Sequence, residues 1–481
     1  MIEKIISRRN AIIFVTLLTL WRLYLSASLQ LHPDEAYYWL WSRHPDISYF
    51  DHSPMVAYFI WFTTLFSKSE LWVRLSGTIT TLLISVLVWQ LAMRMFASAL
   101  VAAASVMLFN AYPLSTLGMI VMTPDVPLFL FWSLSVSIFW QLVQSGRAGW
   151  WYLLGVSFGL ALLSKYTAVL LLPSVFVFLV LTEERRWLRT VHPYLALLLG
   201  LLCFVPVVYW NSQHAWISFA FQFNHGLGGQ HYSLDHLFEY LGGQLLIAGP
   251  LVLLLGAYAC ISSLRRGDKG LLFLTIFSLP IIVFFGFTSL KKMAEPNWTI
   301  FAYFAFSVLV SKCFLDNASR VKQALWGAAL LLSLVVSATI TLQARFSLIP
   351  LAGFSEKLAI ADATNSFYGW RELGQELQKI PGMQFVVTPS HQLSSEVAYY
   401  TNEKLLIQVD ERARASQFSV WRSPDELAGK YGAYVQMNEE GVGASSKYIP
   451  VNTVTDSFSV MRTGIAIRQY HIIAGKSAPG D

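Results

Sequence analysis

Charged side chains are scarce in this sequence. Only 13% of its 481 residues are Asp, Glu, Lys or Arg, whereas 55% are hydrophobic. An ordinary soluble domain has roughly twice that charged fraction, so the composition excludes a soluble globular protein. The net charge of +6 is spread over short loops, and no tract is dense enough in Lys and Arg to bind nucleic acid. We therefore expect membrane lipid as a partner and no nucleic acid.

Cysteine is also rare. The chain has three cysteines, Cys203, Cys260 and Cys313, each inside or beside an apolar segment. Their spacing matches neither a disulfide framework nor a zinc site. We expect all three to be small hydrophobic side chains in the protein interior.

Long apolar runs dominate the rest of the chain. Several approach or exceed the roughly 20 residues needed to cross a bilayer, and they are continuous, which excludes an alternating transmembrane β-barrel. The first run, 11–27, resembles a signal peptide, but Arg22 interrupts it and more runs follow, so we expect an uncleaved helix. Further segments are predicted near 72–93, 98–119, 126–144, 150–164, 166–182, 193–210, 241–263, 271–288, 297–313 and 323–344. The sequence predicts an all-α polytopic membrane protein with about 11–13 transmembrane helices.

Loop charge predicts the orientation of these helices. If the N-terminus is cytoplasmic, every cytoplasmic loop is basic; these loops contain Arg94, Arg147, Glu183–Arg189, Arg265 to Lys269 and Lys312 to Lys322. The opposite loops carry the acidic residues, as the positive-inside rule requires. We expect a multi-pass protein of the bacterial inner membrane. An odd number of crossings then places the C-terminal part in the periplasm.

The composition changes near residue 346 from apolar to mixed. We predict a transmembrane domain over 1–345, with a first outer loop at 30–70, and a soluble periplasmic α/β domain over 346–481. The predicted elements of the second domain are helices at Phe367–Lys379 and Ser394–Tyr400 and strands at Phe385–Thr388 and Leu405–Val409. Such alternation of strands and helices is typical of a small α/β domain.

The first outer loop is an unusually polar stretch between two long apolar segments. Asp34 and Glu35 are adjacent carboxylates near its start, and Asp51 and His52 lie further along it. Ionisable side chains at a bilayer are costly unless they bind a ligand, catalyse a reaction or face water. The Asp34-Glu35 pair therefore indicates the catalytic loop of a membrane enzyme.

More ionisable residues are predicted on the same side of the membrane. Asp125 precedes a helix, Lys165 lies between two helices, and Lys291 and Lys292 lie in a later outer loop. Lysines on the outer face oppose the positive-inside bias. Such cations suit an anionic phosphate, while a carboxylate nearby can take a proton from an attacking hydroxyl. The set favours transfer of a group from a lipid-linked phosphate.

Simpler interpretations stay open for several of these residues. Asp125 suits the start of a helix whatever its function. Lys165 could extend to the membrane interface, and Lys291 and Lys292 could be merely solvated. The histidines of the first outer loop match no metal motif. We therefore expect that no cofactor is required, with a divalent cation left open.

Three motifs resemble those of a known family. They are Leu31–Tyr38 (LHPDEAYY), Tyr49–Pro54 (YFDHSP) and Thr123–Asp125 (TPD). In order and sidedness they resemble the bacterial protein-mannosyltransferase-like family, which includes the aminoarabinose transferases of lipid A and the dolichyl-phosphate-mannose protein mannosyltransferases. The resemblance covers roughly residues 10–345. It implies a GT-C fold and a polyprenyl-phosphate-linked sugar donor.

The resemblance also implies roles for particular residues. Asp34 matches the catalytic Asp, expected as general base, and Asp125 matches a second acidic residue; Glu35 is expected to assist them. The candidate substrate-binding residues are Tyr37, Asp51, His52, Lys165, Lys291 and Lys292. His52 stands where the aminoarabinose branch typically has Lys, which argues against assuming that branch's sugar and its lipid A acceptor.

The expected activity is therefore an inverting transfer of a hexosyl or pentosyl group to an extracytoplasmic acceptor. The acceptor group would be a hydroxyl or phosphate of lipid A, of a cell-envelope glycan or of a protein. The rival hypotheses are a transporter or flippase for a lipid-linked or anionic substrate, and a non-catalytic subunit of an envelope-assembly complex. Transporters usually hold ionisable residues near the midplane and are often built from inverted repeats. Here these residues cluster at one predicted face and no repeat is visible, which favours the enzyme.

Overall fold

The computed structural model describes residues 5–227, 232–421, 424–438, 448–449 and 451–477. The chain forms two compact units. The first comprises Met1–Ser26, His52–Phe59 and Arg74–Thr341, and the second comprises Ala27–Asp51, Ile60–Val73 and Leu342–Asp481. Most of the predicted first outer loop is therefore grouped with the C-terminal segment rather than with the apolar helices.

Long apolar helices build the first unit. In the described residues seven helices are long and apolar enough to cross a membrane: Arg8–Ser28, Glu70–Phe96, Asp125–Ser145, His192–Gln213, Lys269–Ser289, Pro296–Leu315 and Arg320–Phe346. Two bent pairs raise the number to as many as nine, namely Tyr166–Leu181 with Glu183–Arg189, and Leu234–Ala248 with Pro250–Arg266. The predicted class of polytopic helical membrane protein is confirmed.

Two predicted spans are shorter than expected. Segments 98–119 and 150–164 correspond to the helices Ala99–Ala111 and Gly149–Leu162, which are below spanning length, as is Met55–Thr64. Helix Ala99–Ala111 ends before Pro113, whose ring disfavours a continuing α-helix, and the chain goes on as a π-helix at Leu114–Gly118. By helix length alone the described residues thus hold fewer spans than the predicted 11–13.

Close helix packing in the first unit depends on small residues. A Cβ added to Gly155 would lie 2.3 Å from the carbonyl oxygen of Ala196, and one added to Gly159 would lie 2.5 Å from Cβ of Cys203. Helix Gly149–Leu162 therefore packs against helix His192–Gln213 with their backbones nearly in contact. Such contacts stabilise helix pairs in membranes, where apolar burial gives little net attraction between helices.

A five-stranded sheet is the centre of the second unit. Its strands are β1 (Phe385–Thr388), β2 (Leu406–Val409), β3 (Tyr431–Met437), β4 (Val451–Arg462) and β5 (Ile465–Lys476), in the order β2-β1-β3-β5-β4. β1 is parallel to both β2 and β3, while β5 is antiparallel to β3 and β4. All four residues of β1 are buried, as expected for a strand within a parallel sheet.

The helices of the second unit surround this sheet and the polar loop. Helix Pro33–Arg43 packs on helix His391–Tyr400, where the rings of Trp39 and Tyr399 lie 4.8 Å apart, edge to face. The remaining helical segments are Leu351–Phe354, Glu356–Ile360, Ala363–Phe367, Trp370–Gln378, Phe418–Trp421 and Pro424–Leu427. The predicted small C-terminal α/β fold is confirmed.

Candidate active site

Helix Pro33–Arg43 positions the first two predicted catalytic residues, Asp34 and Glu35. Its first turn is a capping box: Oε2 of Glu35 accepts a hydrogen bond from the backbone N–H of His32 at 2.9 Å, and Nδ1 of His32 accepts from the N–H of Asp34 at 3.3 Å. Such reciprocal bonds satisfy N–H groups that the helix itself leaves free. Glu35 is fully buried. The structure thus gives Glu35 a positioning contact and no access to a substrate.

Asp34 is the accessible carboxylate of this turn. Its side chain is 42% exposed, whereas Glu35 beside it is 0% exposed. Its contacts are long: Nε2 of Gln392 donates to Oδ1 at 3.4 Å, and Nδ1 of His32 lies 3.9 Å from Oδ2. Asp34 therefore has the exposure that a general base requires, at a helix N-terminus whose dipole favours a negative charge.

The chain just before Asp34 is held by residues of the second unit. The backbone N–H of Leu31 donates to the Tyr400 hydroxyl at 2.9 Å, and this hydroxyl donates to Oε1 of Glu70 at 3.2 Å. Nη2 of Arg371 binds the same Oε1 at 2.6 Å. These bonds fix the entry to helix Pro33–Arg43 and so the place of its first turn.

Tyr37 and Asp51, two predicted substrate-binding residues, lie in a buried hydrogen-bond network. The Tyr37 hydroxyl donates to Oδ2 of Asp51 at 2.5 Å and accepts from the backbone N–H of Gln417 at 2.7 Å. Nη2 of Arg414 donates to Oδ1 of Asp51 at 2.9 Å. Burial raises the pKa of Asp51 above its usual range, although the charge of Arg414 opposes this shift. Burial and the neighbouring Asp51 carboxylate both raise the pKa of Tyr37. In this arrangement both residues position Arg414, whose side chain is 45% exposed.

His391 completes this network. Its Nε2 lies 3.2 Å from Nη2 of Arg414, and its ring contacts that of Tyr37 edge to face at 4.7 Å. Burial and the charge of Arg414 lower the pKa of His391 from 6.5 to about 3. His391 is therefore neutral in the folded protein, where it accepts a hydrogen bond from Arg414.

A pH-dependent stability follows from the lowered pKa of His391. Because the unfolded chain binds this proton near pH 6.5 and the folded chain only near pH 3, His391 stabilises the fold fully above pH 6.5. That contribution is lost as the pH falls toward 3, by up to about 1.4 kcal/mol per pH unit. In His391→Gln, which keeps an acceptor but cannot be protonated, we expect thermal unfolding to vary less over this range. Identical pH profiles of the two proteins would contradict the assignment.

The first unit contains a second polar cluster, formed by Asp125, Lys165 and Asn297. Asp125 begins helix Asp125–Ser145, and Lys165 lies in extended backbone between two helical segments. Nζ of Lys165 donates to Oδ1 of Asp125 at 2.7 Å, and Nδ2 of Asn297 donates to Oδ2 at 2.9 Å. Asp125 and Lys165 are 4% and 6% exposed. Both carboxylate oxygens of Asp125 are thus engaged inside the protein.

Asn297 is held in place by the short helix Pro296–Ala302. Nε2 of Gln244 donates to the Pro296 carbonyl at 3.0 Å, and Oε1 of Gln244 accepts from the Thr299 hydroxyl at 2.8 Å. A Cβ at position 243 would lie 2.2 Å from Cγ of Pro296, so only Gly243 permits this approach. The amide of Asn297 is therefore presented to Asp125 from a rigid support.

The other predicted substrate-binding residues of the first unit are His52, Lys291 and Lys292, and each contacts a different neighbour. Nδ1 of His52 is 3.2 Å from Nε2 of Gln222. Lys291 is exposed and stands over the Tyr232 ring at 5.5 Å, and Nζ of Lys292 donates weakly to the Asn224 carbonyl at 3.4 Å. None of these three contacts involves Asp125 or Lys165.

Sequence reasoning missed three residues that contact the predicted ones: Arg414, Gln392 and Asn297. Arg414 and Gln392 are more than 350 positions from their partners Asp51 and Asp34, and no motif marks either of them. The Pro296-Asn297-Trp298 run was the available signal for Asn297. Among the described residues no three His, Cys, Asp or Glu side chains converge to hold a metal ion.

Comparison with known proteins agrees with this architecture. Residues 51–210 match the model of the dolichyl-phosphate-mannose-protein mannosyltransferase family. A lipid A galacturonosyltransferase, RgtD of Rhizobium johnstonii, is 24% identical over 433 residues, which are 85% of this chain and 86% of that protein.

Solved structures give the same answer for the fold. ArnT from Cupriavidus metallidurans bound to undecaprenyl phosphate aligns with a TM-score of 0.69 at 15% identity, over 98% of this chain and 99% of ArnT. Its apo state aligns with a TM-score of 0.66 at 16% identity, over 96% and 97% of the two chains. The chain is thus a multi-pass membrane protein with the GT-C fold of ArnT.

Proposed function

We propose that this protein is a membrane glycosyltransferase that moves one sugar from a polyprenyl-phosphate carrier to a hydroxyl of a lipid A-type glycolipid. The similarity to a lipid A galacturonosyltransferase supports the acceptor. The similarity in fold to ArnT, which is known in complex with undecaprenyl phosphate, supports the donor. The observation that carries the proposal is the exposed carboxylate of Asp34 beside the buried Glu35.

In the proposed reaction Asp34 is the general base. It takes the proton of the acceptor hydroxyl as the oxygen attacks the anomeric carbon of the donor sugar. The bond between that carbon and the phosphate oxygen breaks, and the polyprenyl phosphate leaves with the electron pair. A single displacement inverts the configuration at the anomeric carbon. Holding both substrates at one membrane surface supplies much of the rate enhancement, because the encounter becomes effectively intramolecular.

The leaving phosphate requires positive charge. The candidates in the first unit are Lys165, His52, Lys291 and Lys292. Arg414 of the second unit is a separate candidate. Lys165 already neutralises Asp125, so a phosphate would share this cation with that carboxylate. Arg414 is half-exposed and is oriented by Asp51. Fixed cations stabilise the charge that develops on the leaving group.

The proposed location is the bacterial inner membrane, with the N-terminus in the cytoplasm and the sheet-containing segment in the periplasm. The basic residues of the predicted cytoplasmic loops support this orientation. A nucleotide sugar is absent from that compartment, which is why a lipid carrier would deliver the donor.

Mass spectrometry of envelope glycolipids tests the proposed function. Cells that make the protein should contain a lipid A species heavier by one sugar than the species in cells without it. If the added mass appears on an envelope glycan or a protein instead, the acceptor is wrong while the transfer stands. Identical glycolipid, glycan and protein profiles would contradict the proposal.

A further inference from the structure

A groove of about 380 Å³ in the second unit is not used by the proposed reaction. It lies beside strand β2 and contains both apolar and acidic side chains. Leu40 and His44 come from the end of helix Pro33–Arg43, and Leu406 and Ile407 come from β2. The aromatic and acidic members of its lining are Phe418, Trp421, Glu403 and Glu426.

Three rings form one side of this groove. The rings of His44 and Trp421 lie 5.1 Å apart, and those of Phe418 and Trp421 lie 5.7 Å apart, edge to face. Phe418 is buried and stacks on Tyr37 at 6.2 Å, with the two planes 10° apart. Trp421 is partly exposed. The groove therefore has a fixed aromatic surface, supported from behind by the Tyr37 network.

Glu403 supplies an oriented acceptor. Its Oε2 accepts from Nε of Arg43 at 3.0 Å and lies 3.7 Å from Nζ of Lys68. Both cations approach the same oxygen, and no donor among the described residues is bonded to Oε1. An ionised carboxylate held in this way is a strong acceptor for a hydroxyl group.

We propose that the groove binds a sugar ring of the acceptor's headgroup, away from the sugar that reacts. An aromatic face packs against the apolar C–H face of a pyranose, while Glu403 and Glu426 accept hydrogen bonds from its hydroxyls. The two carboxylates disfavour an acyl chain, because their desolvation would be costly.

The placement of the groove agrees with such a role. Asp34 and His44 lie at opposite ends of helix Pro33–Arg43, ten positions and so about 15 Å apart along its axis. An oligosaccharide headgroup can span this distance between the groove and the reacting hydroxyl. The inference rests on the proposed function, since it names where that acceptor is held.

An extended peptide is the alternative occupant. In the described sheet β2 is an edge strand, and a peptide could add to such an edge. However, β2 has only four residues, which offer few backbone hydrogen bonds. The sugar is favoured because the lining combines aromatic rings with two carboxylates, which match the C–H face and the hydroxyls of a sugar.

Trp421→Ala in the full-length protein tests the groove, with Trp61→Ala as control. Trp61 is an exposed tryptophan of the second unit outside the groove lining. The probe is the soluble glucosamine disaccharide that remains when acyl chains and phosphates are removed from lipid A. In saturation-transfer NMR we expect binding by wild type and by Trp61→Ala, and about tenfold weaker binding by Trp421→Ala, since buried aromatic contacts dominate such sites. Glu403→Gln, which preserves size, should weaken binding in the same direction.

Kinetics separate this inference from the proposed function. Trp421→Ala should raise the KM for the lipid A acceptor about tenfold, with donor KM and kcat at saturating acceptor unchanged. If wild type transfers sugar and neither groove variant alters acceptor KM or disaccharide binding, the groove inference is overturned and the function stands. If wild type transfers no sugar, the proposed function is wrong. In that case, whether the groove binds a sugar is decided only by disaccharide binding that depends on Trp421. Binding of an extended peptide but not of the disaccharide also overturns the groove inference.

Discussion

Replacing Asp34 by Asn should reduce kcat for sugar transfer by about 10²- to 10⁴-fold, the range that a positioned general base contributes. Asn keeps the shape of the side chain and its contact with Gln392 but cannot take a proton. Donor binding should be unchanged, because the proposed phosphate ligands are untouched. The measurement is transfer from a radiolabelled polyprenyl-phosphate sugar by the purified variant.

Asp46→Asn is the matched control for this experiment. Asp46 lies in the same polar stretch, and its Oδ1 accepts from the neighbouring Ile47 N–H at 2.7 Å, so we expect transfer close to the wild-type rate. Full activity of Asp34→Asn would exclude Asp34 as the base. An equal loss in both variants would indicate a disturbed loop rather than lost proton transfer.

Replacing Lys165 by Met should destabilise the protein by about 3–5 kcal/mol, because it leaves the buried charge of Asp125 without its cation. The double variant Asp125→Asn/Lys165→Met should recover much of the lost stability, since neither charge is then buried alone. Thermal unfolding in detergent measures both effects. In transfer assays the single variant should also raise the KM for the donor, if the ammonium group contacts the phosphate.

Lys269→Met is the control for the Lys165 variant. Lys269 binds Glu184 at 2.7 Å, the same distance as between Lys165 and Asp125, but its side chain is 40% exposed. Its partner Glu184 is buried but keeps Nη2 of Arg186 at 3.4 Å and Nε1 of Trp187 at 3.1 Å when Lys269 is replaced, so we expect a smaller loss of stability. Equal losses of stability in the two variants would contradict the account of Lys165. A double variant that is less stable than Lys165→Met would also contradict the proposed pairing of Lys165 with Asp125.

Much of the fold could be predicted because its signals are local. Long apolar runs mark the helices, and the buried run Phe385–Thr388 marks β1, whose bounds match the prediction. Helix Trp370–Gln378 starts later than predicted because Gly369 adopts a positive φ of 94°. The hairpin of β4 and β5 was not predicted. Its turn at Thr463-Gly464 has positive φ at both residues, a geometry that Asn-Gly signals more strongly than Thr-Gly does.

The candidate site was predictable only in part, for a different reason. Asp34 and Asp125 stand out as carboxylates at the starts of helices. Burial could not be read from the sequence: adjacent carboxylates look alike, yet capping turns Glu35 inward and leaves Asp34 exposed. The partner of Asp51 was equally hidden, because Arg414 is 363 residues away in the chain. Contacts over such separations depend on the tertiary fold.

Sugar transfer by the purified wild-type protein in liposomes is the decisive test of the proposed function. The liposomes would contain lipid A and a radiolabelled pool of polyprenyl-phosphate sugars. We expect label on the sugar to become covalently attached to lipid A, with release of unlabelled polyprenyl phosphate. Label that crosses the bilayer while it remains on its carrier, with none on lipid A, would contradict the account and indicate a flippase.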